Sequence, residues 1–539
     1  MATLYFDKEG RNKLKAGVDK VADAVKVTLG AKGRNVTIER TLLYPPGGVR
    51  TPIITKDGVT VARAINQLSD PVENLGALMV KDAAEKTMAL AGDGTTTSTL
   101  LAQAIFSEGL KQIENGANPM DLKKGIDRAV AIAVESIRGQ AMQIGSDRKR
   151  LHEVAKISAN GDEIIANIVA DTFSAVGKDG YVTYAKTPRT DITIEMSEGM
   201  KIDRGYVSSY FVTNKEKATV ELEDAYILIY DKKISRLADI VAILENIVKN
   251  NKSLLIIAEE IEGEALYTLT ANAVQKNQKF CAIRHPFGGN EVLEDIAAIT
   301  GATVVSDKKG HSWNTFNMAY LGRAQSIKVE VDSTLIVGGF GKKEYIEAYT
   351  KNLDARYHDE SDEYDKAFLQ KRLANISNSA AVIHIGGQTD TEMMERKDRI
   401  DDAVCAVRAA MQEGIVPGGG MAFLNASRSI PESVFGDEGK GVNIVKVCLL
   451  RPAVQIALNA GIDFYKLQER KPSSVDESFN PYPARKNHND DFGYNVASGK
   501  WEYFFESGII DPAKVSRVAL ENAASVASML LTTECTIVG

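Results

Sequence analysis

Cysteine and histidine are both scarce in this 539-residue chain. Cys281, Cys405, Cys448 and Cys535 stand far apart in apolar surroundings, with no Cys-x-x-Cys and no metal spacing, which excludes a redox pair and suits buried free thiols in a reducing compartment. His152, His285, His311, His358, His384 and His488 are equally scattered, so neither a zinc site nor a Ser-His-Asp hydrolase has local support. A surplus of one charge is missing too. The formal net charge is -7 with acids and bases interleaved, leaving no basic stripe for nucleic acid and no polybasic membrane anchor. The first ten residues lack a cationic segment followed by an apolar run, and no later stretch reads as long enough to span a membrane. The expectation is an intracellular, soluble chain of about three domains, from a prior of roughly 100–200 residues per domain.

What is present begins with an amphipathic pattern from Arg11 to Leu29, where Leu14, Val18, Val21, Val25 and Leu29 recur at helical spacing and Gly30 stands where a helix end favours a left-handed residue. Asn35 to Glu39 alternates like a strand, and Tyr44-Pro-Pro-Gly-Gly48 marks a hairpin or loop. Helical periodicity runs from about Asn74 to Ile137. The middle of the chain differs: Ala225–Tyr230, Ser253–Ala258, Phe280–Ile283 and Ala302–Val305 are short apolar runs separated by helical segments, as strands buried on both faces would be. No G-x-G-x-x-G follows them, so a Rossmann domain is disfavoured. Val337-Gly-Gly-Phe-Gly-Lys-Lys343 fails as a Walker motif, because Ile336 replaces its first glycine and Lys343 its Ser/Thr, and it reads as a loop. From about Ala381 the chain reads as helical again through Glu413, then meets Gly414-Ile-Val-Pro-Gly-Gly-Gly420, whose consecutive glycines mark a backbone approached closely or a flexible turn. Gln468 to Asp491 is polar and reads as a surface loop.

The most informative segment is Ala91-Gly-Asp-Gly-Thr-Thr-Thr-Ser-Thr-Leu100. Gly92 and Gly94 permit backbone geometry that a Cβ would forbid, Asp93 supplies a carboxylate, and Thr95, Thr96 and Thr97 open an apolar helix. Phosphate at that start would meet free N–H groups, the positive end of the helix dipole and three hydroxyls. Taken alone, the segment fits a solvent-exposed capped turn equally well.

Five further motifs favour the phosphate reading: Thr28-Leu-Gly-Ala-Lys-Gly33, Thr55-Lys-Asp-Gly58, Asp401-Asp402, Gly418-Gly-Gly420 and Gly508-Ile-Ile-Asp-Pro512. With Ser197-Glu-Gly-Met, Asp203-Arg-Gly-Tyr and Thr532-Thr-Glu-Cys, they occur in an order that resembles GroEL-type group I chaperonins over nearly the whole chain. The resemblance implies a multi-domain α+β and α/β architecture: a mostly helical equatorial domain from 1–139 and 413–539, a small α/β intermediate domain from 140–197 and 381–412, and an α/β apical domain with buried parallel strands from 198–380. It implies ATP and Mg²⁺ as cofactors, admits K⁺, and gives Asp93 to the metal. Asp57 and Asp402 orient the attacking water, with Asp402 brought in by domain closure. Thr28, Leu29, Gly30, Lys56, Gly94, Thr95, Thr96, Thr97, Gly418, Gly419, Asn495, Val496 and Asp511 surround the nucleotide.

By the same resemblance, non-native polypeptide binds Tyr206, Tyr210, Phe211, Val241, Leu244, Leu266, Thr270 and Ala271, with core packing the rival for Leu244 and Leu266. Gly199 and Gly414 are the hinges, and Arg204 and Asp390 pair between subunits of a homo-oligomeric ring, expected to hold seven copies. Departures are equally legible: Asn378-Ser379 where a hinge Gly-Gly is usual, Ala31 for a proline, Val454 and Asp463 at the inter-ring positions, and an end at Gly539 without a Gly-Gly-Met tail. They leave single against double rings and the need for a lid-like co-chaperonin open, and suit a viral or lineage-specific member in the cytoplasm of a bacterium or an infected cell. The implied function is ATP-driven protein folding by an ATPase. A metabolic ATPase or kinase and an ATP-independent holdase are the rivals; no acceptor site is visible for the first, and the presence of Asp57, Asp93 and Asp402 argues against the second.

Overall fold

The computed structural model describes residues 2–539 apart from 40–51, 470–490 and short interruptions at 66, 160, 179, 188, 216, 276–277, 312, 314–315, 361, 377–378 and 433–434. The loop expected at Tyr44–Gly48, almost all of that expected at Gln468–Asp491, and Asn378 lie outside the described residues. Compactness divides the chain into two units, one of residues 1–170 and 399–539, the other of residues 171–398.

The first unit is built on long helices. Leu14, Val18, Val21 and Val25, spaced by three or four, turn one face of the Asp7–Lys26 helix into the core. That helix ends at Lys26, earlier than the sequence suggested; Gly30, at φ +81°, belongs to the turn beyond it. Asp70 caps the Pro71–Ala91 helix by accepting from the amides of Val72 and Glu73, and Asn118 caps Pro119–Gln140 through Met120. Thr95–Glu114 and Ala513–Thr532 complete the central bundle, whose core includes Leu101, Ile105, Phe106, Leu520 and Leu531. Four two-stranded ladders decorate it among the described residues, and the one that matters here pairs Ile415–Pro417 with Ile510–Pro512. One run, Gly436–Asn459, is 24 residues long and apolar enough to cross a membrane, contrary to the sequence reading. Its most apolar window is 56% buried inside the protein, and Arg451 and Pro452 interrupt it, so it is a pair of core helices.

The second unit carries an eight-stranded mixed sheet among the described residues, in the order Tyr181–Lys186, Ser379–Ile385, Ile192–Ile202, Thr334–Gly339, Gly322–Val329, Val220–Ile229, Ser253–Ala258, Phe280–Arg284. The last three pair in parallel, as their unbroken apolar runs suggested. Three local expectations fail. Ala302–Val305 makes only an isolated bridge from Val305 to Tyr230; Val337–Gly339 belongs to a strand paired with Ser326 and Ala324; and Ala381–Ile385 is a strand, the helix starting at Asp390. In each case length and neighbours sort an apolar stretch one way, whereas the available sheet edge decides its fate. Beneath the helices, buried Arg372 donates to both oxygens of buried Asp295, which Tyr349 also reaches, so the interior charge is fully partnered.

Candidate functional site

The residues expected to hold phosphate, and those around them, lie in the first unit. The Pro71–Ala91 helix ends in Gly92 at φ +74°, and Gly94 at φ +86° precedes Thr95, so Asp93 sits between two left-handed residues that a side chain would strain. No side chain caps the Thr95–Glu114 helix, which leaves its first amides facing the loop. Thr95 is buried while Thr96 and Thr97 keep some surface. The Gly58–Ala64 helix starts against the same place: a Cβ on Gly58 would lie 2.1 Å from the Thr96 hydroxyl. Its cap is Asp57, which accepts from the amides of Val59 and Thr60 and, at 2.6 Å, from the Thr60 hydroxyl. Two helix N-termini therefore converge on Asp57, Asp93 and the threonines.

The floor comes from the far end of the chain. In the short ladder Val416 faces Asp511, and the Gly418 amide donates to the Ile509 carbonyl at 2.9 Å. Asp93 and Asp511 both retain some surface, yet the protein encloses their carboxylates. Desolvation raises the Asp93 carboxyl, with the nearby Asp57 charge adding to it. Desolvation, and then the Asp93 charge, push Asp511 up to about 7. Lys56 supplies a cation whose ammonium donates to the Gly30 carbonyl at 3.2 Å, and burial lowers it. Leu29 is held through its carbonyl by Asn459, and the buried Thr28 hydroxyl donates to Val25.

Asp402 lies on the Asp390–Glu413 helix, three residues before Cys405, which touches the loop at Gly92. That spacing puts Asp402 and Cys405 on one side of the helix. Val496, Gly419, Tyr494, Trp501, Phe504 and Ile456 line a largely apolar pocket. The Asn495 side chain works in its own turn, accepting from the Ala497 amide and reaching Glu502. Trp501 and Phe504, which the sequence reading did not single out, line this pocket; the signal that could have found them is the aromatic density of Phe492–Phe505.

In the second unit the expected client residues divide. Tyr210 and Val241 are exposed; Tyr206 and Leu266 are half-buried against the core; Thr270 hydrogen-bonds back to Leu266 and Tyr267, beside half-buried Ala271. Phe211 is a core residue, correcting the expectation that it faces a groove, and Leu244 is one too, as the rival core reading of it had it: both are buried in the unit's main apolar cluster. Among the exposed apolar side chains of this unit are Tyr267 and Val274, a heptad apart on the Gly263–Gln275 helix, and Val248. That spacing was legible. Gly199 sits inside the Ile192–Ile202 strand, where pairing passes from the Ser379–Ile385 strand to the Thr334–Gly339 strand. Gly414, in the first unit, closes the Asp390–Glu413 helix at φ +86°. Arg204 donates to the His285 carbonyl and lies over the Phe287 ring; the Asp390 side chain is outside the described residues.

A model of the TCP-1/cpn60 chaperonin family matches residues 21–539. Two crystal structures of the chaperonin gp146 from bacteriophage EL 2 (Pseudomonas aeruginosa), obtained in the presence of ATP-BeFx in crystal forms I and II, are similar to this chain with TM-scores of 0.60 and 0.61. Each is 23% identical, and the match covers 99% of this chain and 99% of the other.

Proposed function

This chain belongs to the TCP-1/cpn60 chaperonin family, and from that premise we propose that its first unit binds and hydrolyses ATP at the Gly92–Thr97 loop to drive folding of non-native polypeptide held by the second. The observation that carries the reading is the enclosed Asp93 carboxylate, which feels the Asp57 charge and stands between Gly92 and Gly94 just before the uncapped Thr95 helix start, with the Lys56 ammonium next to Asp57 in the chain. An enclosed carboxylate whose proton affinity is raised by desolvation and by a neighbouring negative charge suits a cation, and a hard oxygen donor suits Mg²⁺. When bound, Mg²⁺ would neutralise charge on the phosphate oxygens. Asp93 would hold it, the amides and hydroxyls of Thr95, Thr96 and Thr97 would cradle the phosphates, and Lys56 would face them. Gly418 and Gly419 give the nucleotide a wall of backbone, while Val496 and the apolar pocket beside it take the base. Asp57 and Asp402 would orient the attacking water.

The relatives crystallised with ATP-BeFx support nucleotide as the ligand. K⁺, a ring of seven, a co-chaperonin, hinge motion at Gly199 and Gly414, and pairing of Arg204 with Asp390 in a neighbouring subunit are parts of the reading that rest on the family resemblance. Exposed Tyr210, Val241, Tyr267 and Val274 support a client surface in the second unit. Asp402→Ala tests the assignment: turnover should fall by two or more orders of magnitude while Mg-ATP still binds, whereas normal turnover would remove Asp402 from the chemistry.

A further inference from the structure

The buried cation of the Arg148–Ser158 helix has no assigned part in the nucleotide site. Arg150 is 8% exposed. Its Nη1 donates to the carbonyl of Phe505 at 2.5 Å and to Glu153 Oε2 at 2.7 Å. Phe505 is fully buried, and Glu153, itself mostly enclosed, packs its side chain over Gly508, where a Cβ would lie 3.3 Å from Glu153 Cγ. Arg150 and Glu153, one helical turn apart, thus grip both sides of the turn Tyr503–Ile509, whose own bonds run from the Ile509 amide to Phe504 and from the Ser507 amide to Tyr503.

This turn leads directly into the floor of the nucleotide site. The Ile509 carbonyl accepts from Gly418, Ile510 pairs with Pro417, and Asp511 pairs with Val416. Phe504, within the turn, packs against the position of Gly419. A guanidinium fixed to one carbonyl of this turn therefore sets where Gly418, Gly419 and Asp511 stand. A charge-assisted bond made in a buried place is among the stronger polar contacts, and its loss takes a donor from both the carbonyl and the carboxylate.

We propose that Arg150 is a positioning residue for the nucleotide: through Phe505 and Glu153 it holds the Tyr503–Ile509 turn so that Gly418, Gly419 and Asp511 meet the base and ribose side of ATP. The inference rests on the nucleotide site assigned under the proposed function. Arg150 then acts on nucleotide binding and leaves the water-orienting Asp57 and Asp402 untouched. Nothing in the sequence marks it, because an arginine in a helix with Lys149 and Lys156 reads as surface charge.

The test compares wild type, Arg150→Met, Arg150→Lys and Glu153→Gln by calorimetric titration with Mg-ADP and by steady-state ATP turnover. Arg150→Met should weaken Mg-ADP binding about tenfold and raise KM in parallel, with kcat changed less than about twofold. Arg150→Lys should recover part of the affinity, since one donor remains. A folded Arg150→Met variant that binds Mg-ADP like wild type would overturn the proposal, as would a fall in kcat at unchanged KM. If Arg150→Met does not fold, Glu153→Gln carries the test, with weaker binding expected by about threefold and unchanged binding overturning the idea. Failure of wild type itself to bind Mg-ADP would instead fall on the assigned nucleotide site and remove this inference with it.

Discussion

Cys405 packs directly on Gly92: a Cβ built on the glycine would lie 2.2 Å from the Cys405 Cβ and 2.9 Å from its sulfur. The contact packs the helix that carries Asp402 against the loop that carries Asp93. Gly92→Ala introduces both this clash and an unfavourable positive φ. It should lower unfolding free energy by roughly 1–3 kcal/mol and reduce ATP turnover more than Mg-ADP affinity. Thermal unfolding and turnover measured on the same preparation check this; a variant with wild-type stability and rate would show that the contact does not constrain the loop.

The enclosed Asp511 predicts a pH dependence. Its carboxyl ordinarily loses its proton near 3.8, and desolvation with the neighbouring Asp93 charge moves this to about 7 in the folded protein. Between those values the native state holds a proton that the unfolded chain has released, so this group's contribution to stability is full below the lower value and is lost as pH rises toward 7. Nucleotide-free protein should therefore lose stability over that window, and Asp511→Asn should flatten the profile. Denaturant titrations at a series of pH values measure it, and a profile unchanged by Asp511→Asn would show that Asp511 is not the group responsible.

Lys56 stands beside the proposed phosphate path, and its ammonium donates to a neutral carbonyl. Lys56→Met should raise KM for ATP by roughly tenfold, the order expected for one charge-assisted bond. The loss should shrink for a nucleoside lacking phosphates. Equal losses for ATP and adenosine would place Lys56 elsewhere.

In the second unit, Lys397 meets Glu221 at 2.7 Å, and Asn214 also donates to that carboxylate. Both charged side chains are about one-third exposed, so the pair is worth about 1 kcal/mol or less. Lys397→Glu should destabilise this unit, and adding Glu221→Lys should restore most of the loss; a double variant no better than the single one would mean that the ion pair contributes nothing.

Much of this architecture was legible in the residues. The periodic Leu14, Val18, Val21 and Val25 face the core as expected, and the apolar runs at Ser253–Ala258 and Phe280–Ile283 are parallel strands, because burial on both faces leaves a continuous apolar record. The loop glycines Gly92 and Gly94 take the left-handed geometry that their placement around Asp93 implied. Other features were hidden for physical reasons. Ala381–Ile385 is short and apolar, and only a partner strand makes it extended. Phe211 ends a three-residue turn too short to show periodicity, and the rotation of the Leu244 helix about its axis is fixed by tertiary packing, so position along the chain could not tell groove from core. Arg150 was invisible because its partner is a backbone carbonyl 355 residues away.

Whether nucleotide turnover drives folding is measured most directly by recovery of a chemically denatured client with and without Mg-ATP, using wild type and Asp402→Ala. Wild type should return active client only when Mg-ATP is present, and Asp402→Ala should capture client yet fail to sustain repeated rounds. Client recovery that is the same without nucleotide, or the same for both proteins, would contradict the claim and leave a passive holding protein.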